Sequence, residues 1–284
     1  MEDEMMKKSY QLSNHIEIPV FGLGTWQLGN EECEQVVQTG LKAGYRHIDT
    51  AQLYENEEGV GKAMKNSGLK REEIFLTTKI ADSIKDYESV KQSIEASLQK
   101  LQTDYIDLLL IHSPRPFEEM FEYAGKDYFK ENLEVWKAME EYYEAGKIKA
   151  IGVSNFQEED LDNLIENAKI KPMVNQILCN ITHYPKQLIE KCAKEDILVE
   201  AYSPNATGKL KSKELEDMAA RYGYSLPQLA NRFDYQLGLV VLPRSRSKNH
   251  MIENMNVSVP ISKEDMEYLS SLGVYTGWKG ADSE

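Results

Sequence analysis

Short apolar or β-branched runs alternate with segments of helical period along most of the chain. The runs Phe21–Gly24, His47–Asp49, Ile74–Lys79, Ile106–Ile111, Ala150–Val153, Met173–Gln176, Ile197–Ala201 and Val240–Pro243 predict eight strands. Ile106–Ile111 is almost continuously apolar, as expected of a parallel strand covered on both faces. Between the runs, Val90, Ile94, Leu98 and Leu101 make one apolar helical stripe, and Leu161, Leu164, Ile165 and Ala168 make another. Gly44, Gly68 and Gly146 fall where helices would end on a left-handed residue, and Pro185 suits a first helical position. Ser262 with Asp265 resembles a capping box. Strands alternating with helices, without repeat or linker, predict an α/β fold: a single (β/α)8 TIM barrel domain over residues 1–284. An open sheet would more often use about five or six strands. Tyr10–Leu12 and Glu17–Ile18, flanking Asn14 and His15, predict an N-terminal β-hairpin that plugs the barrel bottom; a short C-terminal tail follows Val274.

The length of 284 residues and an apolar content of 41% suit one such barrel. A net charge of −14 sets the chain against nucleic acid and anionic membranes as partners, so a bound phosphate would need a local basic cluster. No run of about 18 apolar residues occurs, and the opening MEDEMMKKSY has no signal-peptide core. Cys33, Cys179 and Cys192 lack metal or redox spacing and read as buried filler in a reduced, cytoplasmic protein. The five histidines show no ligand spacing, so no metal is implied. The irregular stretch Ser113–Lys130, after the fourth strand, is a candidate substrate loop.

Three polar side chains stand where consecutive strands end: Asp49 in RHIDT, Lys79 in FLTTK and His112 in LLLIH. Barrel strands converge on one mouth at their C-terminal ends, which would gather the three there with Tyr54 in the loop beyond Asp49. A phenol, with a pKa of about 10, is a poor acid at neutral pH. An ammonium beside it favours the phenolate and lowers that pKa, and a carboxylate holds the ammonium. Lys79 and Asp49 are placed to do this to Tyr54, with His112 positioning a carbonyl oxygen. Taken singly, Asp49 reads equally as a helix cap, Lys79 as a solvated strand end, Tyr54 as a packed aromatic and His112 as a satisfied core histidine. Four such types at three adjacent strand ends favour catalysis. Gly22 and Gly24 imitate a dinucleotide fingerprint, but Gln27 stands in the third glycine's place and Thr25-Trp26 crowds the approach, so a Rossmann site is rejected.

From Phe21 to about Val257 the sequence resembles the aldo-keto reductase family, in its bacterial aldehyde-reductase type. GYRHIDTAQLYENEEGVG (44–61), KAIGVSNF (149–156) and LPRSRSKNHMIENMNV (242–257) carry the resemblance. It implies an NAD(P)H-dependent oxidoreductase that reduces aldehydes and ketones by hydride transfer from the nicotinamide. The implied catalytic tetrad is Asp49, Tyr54, Lys79 and His112, with Tyr54 as proton donor. Implied cofactor contacts are Asp49, Thr25, Ser154, Asn155 and Gln176 around the nicotinamide, with Tyr202 stacking and Ser203 beside it. Arg244, Ser245 and His250 match the adenosine 2′-phosphate site, and Glu253 and Asn254 the adenine contacts. Trp26, Tyr54, His112 and Ser113 match the carbonyl pocket. The cofactor implied is NADPH, with NADH as the alternative; the partner is a small carbonyl compound, and the protein is expected to be a monomer. Read without the family, Asn155 with Glu158 is also an N-cap pair, and Arg244, Arg246 and Lys248 a solvated charge run.

Departures from the family pattern bear on these expectations. His250 replaces the usual Arg and would weaken the NADPH preference unless Arg246 compensates. Ser113 replaces a common Trp and would enlarge the pocket, and Asn205-Ala206-Thr207 alters the start of the loop over the pyrophosphate. Trp278 is a candidate pocket residue from the tail. A non-catalytic cofactor-binding or structural protein on the same barrel is the alternative function, and a Schiff-base isomerase or aldolase using Lys79 is a third reading.

Overall fold

A computed structural model describes residues 6–120 and 126–273. The hairpin comes first along the chain: β1 (Ser9–Gln11) pairs antiparallel with β2 (Glu17–Pro19), and His15 takes a left-handed φ of 68° at the turn. Leu12 and Ile18 are buried beneath it, and Asn14 Nδ2 donates to Lys149 O at 2.9 Å. Lys149 lies early in its strand, so the hairpin covers the N-terminal ends of the barrel strands.

All eight expected strands are present: β3 (Gly22–Gly24), β4 (His47–Asp49), β5 (Phe75–Ile80), β6 (Ile106–Ile111), β7 (Ile148–Ser154), β8 (Val174–Leu178), β9 (Leu198–Tyr202) and β10 (Val240–Leu242). They pair in parallel in strict sequence order. A parallel bridge from Phe21 to Val241, with Val241 N donating to Val20 O at 2.9 Å, joins the last strand to the first. The architecture is a (β/α)8 barrel. Sequential order leaves no switch point for a Rossmann crevice. Gly22 is instead a packing glycine: a Cβ there would lie 2.5 Å from Leu242 Cδ2 and 2.7 Å from His47 Nδ1.

Helices cover the outside: α1 (Asn30–Ala43), α2 (Glu57–Lys65), α3 (Tyr87–Leu101), α4 (Phe117–Met120), α5 (Phe129–Glu144), α6 (Glu158–Asn167), α7 (Lys186–Lys194), α8 (Lys213–Arg221), α9 (Leu226–Gln236), α10 (Lys248–Met255) and α11 (Lys263–Leu272). The stripe Val90, Ile94, Leu98 and Leu101 is buried against the sheet. Ser262 caps α11 by accepting from Asp265 N at 3.1 Å. Pro185 lies one residue earlier than expected, as the N-cap of α7. Asn155 is no N-cap: it turns left-handed at φ 62°, and Gln157 with Asp160 caps α6. None of the helices among the described residues is long and apolar enough to cross a membrane. Cys33, Cys179 and Cys192 are buried free thiols; burial pushes Cys33 up to about 12 and Cys192 up to about 11.

Candidate active site

The barrel places Asp49 at the last residue of β4, Lys79 near the end of β5 and His112 just after β6. Lys79, fully buried, donates to both Asp49 carboxylate oxygens at 2.8 Å and to Thr50 O at 2.9 Å. Its Nζ also stands 3.5 Å from the Tyr54 hydroxyl and 5.0 Å from that ring's centroid. Tyr54 sits on a short 3-10 turn, Gln52–Tyr54, which Glu55 ends with a left-handed φ of 54°. Gln52 fastens the turn, accepting from Ala81 N at 2.9 Å and donating to Ser97 Oγ at 3.0 Å. The His112 ring meets Tyr54 edge-on at 5.5 Å and Phe117 edge-on at 5.2 Å.

Burial penalises the Lys79 ammonium, but Asp49, Tyr54 and Glu200 outweigh it and hold Lys79 above its ordinary pKa. Lys79 is therefore a paired cation, which removes the nucleophilic amine that a Schiff-base enzyme requires. Burial followed by Lys79 drives His112 well below the usual imidazole range, so the ring is neutral. For Tyr54 the expected lowering does not prevail. Burial is the larger effect and raises the phenol, with Lys79 offsetting only part of it. At neutral pH Tyr54 accordingly keeps its proton.

Above these groups opens a cavity of about 960 Å³, with Asp49, Tyr54 and His112 at its base and Trp26, Leu53 and Phe117 on its walls. Ser154, Asn155, Gln176, Tyr202 and Ser203 line it, as do Arg244, Ser245, His250, Glu253 and Asn254. Two expected contacts are absent from the lining. Thr25 is fully buried behind Asp49, donating to Asp49 O at 2.9 Å, and the neighbouring Gly24 reaches the cavity instead. Ser113 is also fully buried; the wall is made four residues later by Phe117. The small residue therefore does not simply leave an opening. Phe117 N donates to Asp82 at 2.5 Å, and Lys85 donates to Ser113 O at 2.8 Å and to Asn132 at 2.9 Å, so the start of this loop is tied down. Trp278 lies outside the described residues, as do positions 121–125 of the loop.

The residues expected around a nicotinamide form one hydrogen-bonded set. Ser154 Oγ donates to Gln176 O at 2.8 Å, Asn155 Nδ2 to His112 O at 3.0 Å, and Tyr202 Oη to Asn155 Oδ1 at 2.8 Å. Asn155 and Ser203 hold left-handed backbones, φ 62° and 52°, which aim both into the mouth. On the far wall Arg244 donates to Trp26 O at 2.7 Å and Gln27 Oε1 at 2.9 Å. Arg246 is bound by both Glu32 oxygens, at 2.5 and 3.2 Å, and does not line the cavity, so it is not placed to compensate for His250.

The sequence profile of the aldo/keto reductase family matches residues 20–273. The chain belongs to the aldo/keto reductase family. It is thereby an oxidoreductase. Glyoxal reductase of Bacillus subtilis (strain 168) is 41% identical over 270 residues, covering 94% of this chain and 93% of that protein. An aldo/keto reductase from Brucella melitensis superposes with a TM-score of 0.87 at 38% identity, over 94% of this chain and 98% of that one. The Bombyx mori aldo-keto reductase, solved in complex with NADP, gives 0.84 at 30% identity, over 94% and 93%.

Sequence reasoning missed the groups that brace this aldo/keto reductase site from behind. Asn56 is fully buried, accepting from Thr50 Oγ1 at 2.6 Å and donating to Thr25 O and Leu28 O at 2.9 and 3.1 Å. It ties the loop carrying Trp26 to the loop carrying Tyr54. Glu57 receives Thr78 and Ser97 at 2.7 and 3.3 Å, and Glu200 receives Gln176 at 2.8 Å. A carboxylate-bearing residue inside an apolar strand was the visible signal for Glu200; Asn56 and Glu57 gave none.

Proposed function

We propose that this chain is an NADPH-dependent carbonyl reductase of small aldehydes, ketones and dicarbonyls, with Tyr54 as the proton donor. The observation that carries the proposal is the Asp49–Lys79–Tyr54 array at the floor of a large cavity, beside a neutral His112. When bound, a reduced nicotinamide cofactor supplies the hydride. The residues present fit its carboxamide. Both N–H groups of Gln176 are engaged, by Asp49 Oδ1 and Glu200 Oε2 at 2.8 Å each, which leaves the Gln176 carbonyl oxygen to accept from an amide. A positive wall of Arg244 and a helix N-terminus carrying His250 suits phosphate.

Tyr54 binds the substrate carbonyl oxygen by its O–H and gives up that proton as the oxygen gains negative charge. Lys79 stabilises the phenolate that remains, and Asp49 keeps Lys79 in place and charged. His112 supplies a second hydrogen bond. Its Nδ1 is buried without a partner, and an unpaired lone pair is the cheaper orphan, so the proton belongs on Nε2. Trp26 and Phe117 narrow the mouth above these donors, which suits a compact substrate such as the dialdehyde in the name of the Bacillus subtilis relative.

Fluorescence titration with NADPH and NADH, followed by turnover on a panel of carbonyls, tests this reading. Tyr54→Phe should lose about 100-fold or more in kcat while binding the cofactor within about twofold of wild type. Failure of both cofactors to bind would overturn it. Unchanged turnover in Tyr54→Phe would remove Tyr54 as the acid.

A further inference from the structure

Glu200 lies at the middle of β9, fully buried, directly opposite Gln176 in the register of β8 and β9. Its Oε2 accepts one Gln176 N–H at 2.8 Å, while Asp49 Oδ1 accepts the other at 2.8 Å. Its second oxygen lies 3.7 Å from His47 Nε2 and has no hydrogen-bond partner. His47 Nε2 is itself bound to Thr77 Oγ1 at 2.9 Å. A buried carboxyl that touches no cavity surface yet grips a cavity-lining amide needs a role beyond packing.

We propose that Glu200 is a positioning residue for cofactor recognition, holding Gln176 with its carbonyl oxygen towards the cavity and setting, through its own charge, the balance between oxidised and reduced nicotinamide. The inference rests on the proposed cofactor reading. An amide can present either end, and two acceptors on its nitrogen fix which one faces outward. Removing Glu200 leaves one N–H of Gln176 unpaired in the core and weakens that choice.

Groups from four neighbouring strands face Glu200. The β4 strand supplies Asp49 and His47, β5 supplies Lys79, β8 supplies the uncharged Gln176, and the adjoining β10 segment Val240–Leu242 is apolar. Asp49 and Lys79 balance one another, and burial holds His47 down at about 4, hence neutral. Burial first, then Asp49, pushes Glu200 up to about 8. Near neutrality the set is therefore uncharged overall, and above about pH 8 it carries one buried negative charge. An oxidised nicotinamide is a cation and a reduced one is not, so that charge favours the oxidised form. At an effective dielectric of about 20, a unit charge about 12 Å away changes the ratio by about tenfold.

The test measures dissociation constants of NADP⁺ and NADPH by fluorescence from pH 6.5 to 9.5. It uses wild type, Glu200→Gln and Glu200→Leu, with thermal melts as the folding control. The ratio of the two constants cancels titration of the cofactor phosphate, which both forms share. Wild type should shift about tenfold towards NADP⁺ across pH 8. Glu200→Gln keeps the acceptor and should match wild type at pH 7 with a flat ratio. Glu200→Leu should weaken both cofactors several-fold, raising KM for the cofactor more than it lowers kcat. A flat wild-type ratio, or a Glu200→Gln ratio that titrates like wild type, overturns the charge role. A folded Glu200→Leu that binds as wild type overturns the positioning role. If Glu200→Leu does not fold, the Glu200→Gln profile decides alone. If wild type binds neither cofactor, the functional reading fails first, and that outcome is distinct from a wild type that binds but shows no Glu200 effect.

Discussion

Lys79 and Asp49 form an ion pair whose worth depends on keeping both partners. Lys79 Nζ makes three short hydrogen bonds at 2.8, 2.8 and 2.9 Å besides the longer one to Tyr54, and has no solvent exposure. Lys79→Met keeps most of the side chain's volume but leaves the Asp49 carboxylate in the core with its countercharge gone. Removing one member of such a pair costs about 3–5 kcal/mol, mostly as the penalty for the stranded charge. For 284 residues the unfolding entropy is about 0.6 kcal/mol/K, so the loss corresponds to a fall in Tm of about 5–8 °C. Asp49→Asn strands the ammonium instead and should cost a similar amount. The double variant Asp49→Asn/Lys79→Met has no buried charge at this point, so it should recover about 1–3 kcal/mol of the sum of the singles. Urea unfolding followed by tryptophan fluorescence measures all four proteins in one series. Single-variant losses that add to within about 0.5 kcal/mol would refute the coupling and with it the account of Lys79 as a charge held by Asp49.

Three further outcomes follow from other parts of the molecule. Glu200, raised by burial from 4.5 to about 8, binds its proton more tightly when folded, so the stability it contributes is complete below pH 4.5 and lost as pH rises to about 8. The wild-type stability curve should fall relative to Glu200→Gln across that window, by at most about 5 kcal/mol; parallel curves would contradict the burial argument. Phe117→Ala removes the ring that meets His112 at 5.2 Å and lines the cavity, so KM for a two- or three-carbon dicarbonyl should rise several-fold while bulkier aromatic aldehydes gain in kcat/KM. Arg244→Ala should weaken NADPH by about tenfold or more with little effect on NADH, whereas Glu32→Ala, which releases Arg246 from its bidentate partner, should leave NADH unchanged and tighten NADPH. An equal effect on both cofactors in either variant would place these arginines away from the phosphate.

The strands were legible because each must be apolar on two faces, and such runs stand out from helical periodicity. His47–Asp49 and Ile106–Ile111 occur as expected, while β7 extends from Ile148 to Ser154, beyond the four residues its apolar run marks out. The mouth was legible for a related reason: Asp49, Lys79 and His112 are polar residues at the very ends of such runs. What escaped was pairing between distant segments. Arg246 resembles a free phosphate ligand until α1 brings Glu32 against it, and Ser113 resembles a cavity-facing residue until the next turn puts Phe117 there. A charge at a strand's end can reach the cavity, as Asp49 does, whereas Glu200, with Val199 before it and Ala201 after it, has no such outlet. A carboxyl in that position has to be neutral, paired or both, since solvent cannot compensate it. Its partner then has to be a neighbouring strand's polar residue, and Gln176 is the one in register on the adjoining strand. A charged residue in the interior of a parallel barrel strand thus points, through its register partner, to the cavity residue it holds.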